Sequence, residues 1–69
     1  MNVYLAVEYL GGATLNLGLH ETREGAARKL TAMGFTEAED GSWRKRWVRA
    51  DGSECLMLRG GIEEWTVEE

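Results

Sequence analysis

The chain opens on an apolar run, Val3-Tyr4-Leu5-Ala6-Val7-Glu8-Tyr9, that reads as a β-strand. Gly11 and Gly12 then mark a turn. Leucines recur at alternate positions in Thr14-Leu15-Asn16-Leu17-Gly18-Leu19, which is the period of a second strand. A two-residue loop would pair Val7 with Asn16 and Leu5 with Gly18, mixing apolar and polar groups on each face. A three-residue loop, Gly11 to Ala13, pairs Tyr9 with Leu15, Val7 with Leu17 and Leu5 with Leu19. That leaves one clean apolar face. A one-residue slip turns every side chain over, so the three-residue loop is the expected register.

The period then changes. Thr22 is a helix N-cap, and Glu24 sits favourably in the first turn. Ala26, Ala27, Leu30 and Met33 form an apolar stripe, so a helix is predicted over Arg23 to Met33. Gly34 suits the left-handed residue that ends a helix, with Phe35 folding back onto Leu30. The acidic run Glu37-Ala38-Glu39-Asp40 and Gly41 are expected to form a loop.

Three further strands follow in this reading. Trp43 to Arg49 is the first, and Asp51-Gly52 is a two-residue hairpin signal. It pairs Arg49 with Glu54, Trp47 with Leu56 and Lys45 with Leu58. The next strand is Glu54 to Arg59. Gly60-Gly61 then reads as a turn, and Ile62 to Val67 as a last strand that sets Trp65 beside Leu56 and Val67 beside Glu54. The core face collects Trp43, Trp47, Leu56, Leu58, Trp65 and Val67. The other face collects Arg44, Arg46, Arg59, Glu64, Cys55, Met57 and Thr66, with Tyr4, Leu10, Val48 and Ile62 also placed there.

The expected architecture is therefore α+β: one domain over residues 1–69, in the order β-β-α-β-β-β, an antiparallel sheet with one helix on its apolar face. A helix of three turns does not cover five strands. Either the sheet curls around it or apolar surface is left for a partner. A single core of this size supplies ~3–5 kcal/mol, so a deep polar pocket is not expected.

Twelve acids against eight bases give a net charge of −4, which disfavours a plain phosphate binder. Residues 1–36 hold three acids and three bases; residues 37–69 hold nine and five, and so carry the whole excess. Arg44-Lys45-Arg46 and Arg49 are flanked by Glu37, Glu39 and Asp40 on one side and by Glu63, Glu64, Glu68 and Glu69 on the other. The plainest reading is a solvated surface with cross-strand pairing. A sharper one makes those seven acids a partner-binding surface whose carboxylates stand where the phosphates of a duplex would. A third makes the basic strand a platform for single-stranded nucleic acid.

Catalytic chemistry is scarce. There is one histidine, one cysteine and no evident base for the cysteine. His20 beside Glu21 and Glu24 would supply two metal ligands if the helix began early, but a histidine at a helix start is more often simply exposed. The glycine pairs do not precede a helix, as a phosphate-cradling loop would. No enzyme activity, cofactor or metal is expected. A lone cysteine makes no internal disulfide, the first ten residues do not read as a signal peptide, and no apolar run is long enough to span a membrane. The expected location is the cytoplasm, with no membrane partner.

The opening strand, the Thr22-Arg23-Glu24-Gly25-Ala26 helix start and the closing Ile62-Glu63-Glu64-Trp65-Thr66-Val67-Glu68-Glu69 resemble a broad group of small phage and mobile-element proteins. Those commonly start on a K-V-Y-x-V strand and end on an I-x-E-W-x-V strand. Residues 37–59 have no counterpart in that pattern. In size, acidity and strand content the chain is also similar to small anti-CRISPR proteins acting on type I systems. The resemblance implies a phage-encoded, non-enzymatic inhibitor in the host bacterial cytoplasm. Its partner would be a host defence complex such as a type I CRISPR surveillance complex, met through an anionic, DNA-mimicking surface without direct nucleic-acid contact. Such a protein would be a monomer or a weak homodimer. The alternatives are a nucleic-acid-binding module using Arg44, Arg46 and Arg59, and a structural accessory protein.

Overall fold

The computed structural model describes residues 1–68. Its elements are β1 (Asn2–Leu10), β2 (Ala13–His20), α1 (Arg23–Ala32), β3 (Thr36–Glu37), β4 (Trp43–Val48) and β5 (Cys55–Thr66). All five strands form one antiparallel sheet in the order β2-β1-β5-β4-β3. The last strand in the chain is thus the middle strand of the sheet. The molecule is long and narrow, 50 × 23 × 20 Å.

The helix begins and ends as its sequence directs. The Thr22 hydroxyl accepts a hydrogen bond from the Gly25 amide at 3.0 Å. At the other end the Phe35 amide donates to the Leu30 carbonyl at 2.9 Å and the Gly34 amide to the Thr31 carbonyl at 3.0 Å. This pair of bonds is a Schellman ending, and it needs the left-handed residue supplied by Gly34, at φ 95°. Phe35 is thereby turned under the helix, where it packs with Ala6, Ala26, Leu30 and Trp43 as the buried core.

The β4–β5 hairpin has the expected register: Trp47 lies opposite Leu56 and Lys45 opposite Leu58. The Arg49 amide donates to the Glu54 carbonyl at 2.9 Å, and their side chains form an ion pair at 2.8 Å. The connection holds Ala50 to Ser53, not two residues, because Gly52 turns back to the Arg49 carbonyl.

Three expectations are corrected. The first concerns the β1–β2 register. Leu10 pairs with Ala13, and Val7 pairs with Asn16, as the rejected short loop requires. A bulge then inserts Leu17 as an unpaired residue, after which Leu5 does meet Leu19. The bulge turns Leu17 toward the helix, where it packs on the core. The helix needs apolar cover on β2, and a strict alternation does not provide it.

Second, Gly60-Gly61 is not a turn. β5 runs unbroken through it for 12 residues. A Cβ on Gly60 would lie 2.9 Å from the Phe35 ring and 3.0 Å from the Val7 carbonyl oxygen; one on Gly61 would lie 3.2 Å from the Tyr9 hydroxyl. The glycines are the places where two aromatic rings lie flat on opposite faces of a central strand. The fifth strand is instead β3, a two-residue edge strand that takes Glu37 out of the expected loop.

Third, the continuous β5 changes which residues share a face. Paired residues point the same way and neighbours alternate. Trp43, Lys45, Trp47, Leu56, Leu58, Gly60, Ile62, Glu64 and Thr66 therefore lie on the helix side, with Tyr4, Ala6 and Leu10 of β1. Arg44, Arg46, Val48, Cys55, Met57, Arg59, Glu63 and Trp65 lie on the open side, with Val3, Leu5, Val7 and Tyr9. Trp65 sits opposite Val3, not beside Leu56, and is 56% exposed. Val67 is exposed as well, with its amide on the Met1 carbonyl. Neither belongs to the core; Phe35 and Ala6 take that role.

Candidate functional site

β5 has two neighbours, and they are staggered. β1 pairs with Arg59 to Thr66, and β4 with Cys55 to Gly60. The outer part of the β4–β5 hairpin therefore projects as an arm beyond β1, and the helix packs on β1, β2 and β5 without covering it. Trp47, Val48, Leu56 and Met57 are all exposed there.

Of the seven acids expected to form one surface, the six among the described residues are not on one face. Glu37 lies on the edge strand, on the helix side, paired with Trp43. Glu39 and Asp40 are exposed in the β3–β4 turn. Glu63 and Glu64 are neighbours on a strand and so point to opposite faces. Glu63 accepts a hydrogen bond from the Trp65 indole at 3.1 Å on the open side. Glu64 is occupied on the helix side: it accepts from the Asn2 amide at 2.9 Å and lies 3.5 Å from the Arg23 guanidinium. Glu68 follows the strand and is exposed, and Glu69 lies outside the described residues. What these groups share is an end. β4 runs opposite to β5, so the turn that precedes Trp43 heads along the C-terminal half of β5, whose β4-side edge is unpaired beyond Gly60.

Both hairpin tips after the helix carry the same Asp-Gly-Ser sequence and the same turn. Asp40 accepts from the Ser42 amide at 3.0 Å and its hydroxyl at 2.6 Å. Asp51 accepts from the Ser53 amide at 2.9 Å and its hydroxyl at 2.6 Å. The serine hydroxyl first, and then the amide, stabilise each carboxylate and hold it below the ordinary aspartate range. Asp40 is thus a turn-forming group as well as a surface charge. This was missed from the sequence, although the repeated Asp-Gly-Ser triplet is its signal.

The arginines do converge. Arg44 and Arg59 are directly opposite each other on the open face. Arg46 lies one pleat further along β4, donating from Nε to the Cys55 sulfur at 3.1 Å. Among the described residues the ion pairs are Arg23–Glu64 and Arg49–Glu54; Arg46 and Arg59 are matched by no carboxylate, while the Arg44 guanidinium stands near enough to Asp40 to help hold its carboxyl down. Tyr9 continues the same row on β1, opposite Arg59, with its ring over Gly61 and 43% of its surface exposed. Met57 is exposed beside them. The open face therefore holds three cations, of which Arg46 and Arg59 have no carboxylate partner among the described residues, with an accessible aromatic ring and a flexible thioether, across β1, β5 and β4.

His20 is half-buried against Gly18 and Gly25 at the helix start. Among the described residues, no group of three or more potential ligands is arranged to hold a metal ion, and no helix is long and apolar enough to cross a membrane. No family model, no curated protein and no solved structure matches the chain.

Proposed function

We propose that the chain is a binding module whose open sheet face takes a polyanion, with single-stranded nucleic acid as the ligand class. The observation that supports this is the row Tyr9–Arg59–Arg44 with Arg46 beside it, in which Arg59 and Arg46 have no carboxylate partner among the described residues and Arg44 has only the nearby Asp40. Two arginines directly opposite each other on a sheet repel, and that arrangement is relieved when phosphates come between them. Tyr9 offers a face on which a base stacks, a contact worth ~1–3 kcal/mol in such sites. The net charge of −4 opposes long-range attraction, so the site acts at contact range and is sensitive to salt. The experiment is fluorescence anisotropy with a labelled single-stranded oligonucleotide. About three phosphate contacts give a slope near −2 in log affinity against log salt. Arg44→Glu/Arg46→Glu should abolish binding, and Tyr9→Ala should weaken it about tenfold. No binding at low salt, or equal binding by the double variant, overturns the assignment.

A second reading is favoured by the shared end of the acidic groups. Glu39, Asp40, Glu63 and Glu68 lie toward the end of the sheet where the edge of β5 is unpaired, with Glu37 on the edge strand and Glu64 paired with Arg23, and an anionic end of this kind fits a basic groove. On this reading the chain is a phage-encoded inhibitor of the anti-CRISPR type that occupies the nucleic-acid channel of a host defence complex in the bacterial cytoplasm. Its test is affinity for a purified type I surveillance complex. Loss on Glu37→Lys/Asp40→Lys or on Glu63→Lys/Glu64→Lys, with Arg44→Glu/Arg46→Glu unaffected, would select this reading over the first.

A further inference from the structure

The C-terminal half of β5 has a partner strand on one side only. Its pairing with β1 runs from Arg59 to Thr66, while its pairing with β4 stops at Gly60. The β4 ladder does not continue, because the Gly41 amide turns back to the Ala38 carbonyl at 2.9 Å. Successive residues of a strand send their backbone groups to alternate sides. The Val67 amide bonds to the Met1 carbonyl, which sets Gly61, Glu63 and Trp65 toward β1. Ile62, Glu64 and Thr66 therefore face the gap. The Arg49 amide on the Glu54 carbonyl gives the same phase from the β4 side. Among the described residues, nothing pairs with the three amides and three carbonyls on that edge. From Ile62 to Thr66 it is about 17 Å long.

A row of open backbone groups is a template for another strand, and the sheet blunts its other edges. β2 is bent by its bulge, β3 has two residues, and the outer side of β4 beyond β3 carries Lys45 and Arg46. On the β1 side of the arm only Cys55 and Met57 are open, and Glu54 beside them is already paired with Arg49. The Ile62–Thr66 edge has no proline, no lysine and no bulge.

We propose that this edge takes an extended basic segment of a partner protein as an added strand. Charge selects the occupant. Glu63 is half-buried on the open side and accepts from the Trp65 indole, with no cation paired to it. Glu68 follows the strand, and Glu39 and Asp40 stand in the turn that heads along the gap. Arg44 partly offsets Asp40, and Glu64 is held by Arg23 and Asn2, so Glu63, Glu68 and Glu39 are the free acids. A neutral or acidic strand leaves them unanswered. A lysine or arginine opposite Glu63 makes a cross-strand ion pair, and one opposite Trp65 meets an indole that is 56% exposed. The residues between them point to the helix side, beside the half-buried Ile62, where a β-branched side chain fits. The fitting segment alternates basic and β-branched residues. This rests on the anionic end used by the second reading above, and on none of the open-face arginines.

Amide hydrogen exchange on the whole chain, followed by NMR, tests this. In the free protein the Ile62, Glu64 and Thr66 amides should exchange at least about tenfold faster than those of Gly61, Glu63 and Trp65. The probe is a capped seven-residue peptide that alternates lysine and valine. At saturation it should slow the three edge amides at least about tenfold. The same peptide with N-methylated valines, or with glutamate in place of lysine, should bind at least about tenfold more weakly. Glu63→Lys/Glu68→Lys should weaken binding of the lysine peptide by a similar factor, and Met57→Lys, on the arm, by less than about twofold. Edge amides that are already slow in the free protein, no slowing at about 1 mM peptide, or equal binding by the N-methylated peptide overturns the proposal. A surveillance complex that binds the acidic end while these amides exchange freely keeps the second reading and overturns this one. Peptide protection without binding to that complex does the reverse.

Discussion

Arg59–Thr66 and Cys55–Leu58 are two stretches of one strand with different fates. The first has β1 beside it and the helix over one face; the second has β4 alone. The outer stretch is the more apolar, Cys-Leu-Met-Leu, while the inner one carries two glycines and two glutamates. Yet the inner stretch holds the buried Gly60 and the half-buried Gly61, Ile62 and Glu63, and in the outer one Leu56 and Met57 are more than half exposed. Burial here follows from what the rest of the chain brings to each stretch, and local hydrophobicity does not decide it.

Substitutions sharpen that contrast. Phe35→Ala removes the ring that covers Gly60 and empties the centre of the core. It should cost ~3–5 kcal/mol, as for a fully buried aromatic, which is comparable to the whole stability of a domain this small. Thermal melting should show a chain largely unfolded at 25 °C. Gly60→Ala comes next. Its methyl group would press on the Phe35 ring and the Val7 carbonyl, for a loss of roughly 1–3 kcal/mol. A midpoint in urea unchanged by this substitution would mean that Phe35 does not lie on β5. Gly34→Ala should cost about 1 kcal/mol through its left-handed φ, despite alanine's better helix propensity. A gain in stability would show the helix running on past Met33. Trp65→Ala, on the open face, should cost under about 1 kcal/mol, since more than half of that ring already meets water.

The smallest effect is acid sensitivity at the two Asp-Gly-Ser tips. Both carboxylates titrate below the ordinary value of 3.8 in the folded chain, held down by their serine hydroxyls and amides. A depressed carboxylate contributes stability that is complete above the unfolded value and fades as pH falls through the folded one. The turns should therefore be unchanged from neutrality to about pH 4 and loosen below it. The amide shifts of Ser42 and Ser53, followed by NMR, should report this, and Asp40→Asn and Asp51→Asn should each remove it at one tip only.

What the sequence revealed follows the same division. Contacts set by neighbours along the chain were legible: the Thr22 cap, the Gly34 ending, Phe35 returning to Leu30, and the pairing of Trp47 with Leu56. Each depends on a few consecutive residues. The contacts of β5 with β1 were not, because they join residues about 50 to 64 positions apart. Gly60-Gly61 carries the same local signal as a turn; only the arrival of Phe35 and Tyr9 makes it the middle of a strand. The bulge at Leu17 was hidden for a similar reason, since it answers the position of the helix. Of the candidate sites, the arginines were placed on one face correctly because β4 and β5 form a local hairpin. The directions of the acids were not legible, because the faces of Glu63 and Glu64 depend on the long strand they occupy and its pairing with β1.

The place of β5 in the middle of the sheet also sets when the fold forms. Before β5 is available, the chain consists of two unjoined pieces: β1, β2 and the helix on one side, and β3 with β4 on the other. Neither has a complete core, since Ala6 and Trp43 meet across β5. Residues 1–54 emerge from the ribosome without being able to close the sheet, because β5 has still to fill its middle. Folding waits for β5, and the closing step is the zipping of one strand into a gap prepared by all the others.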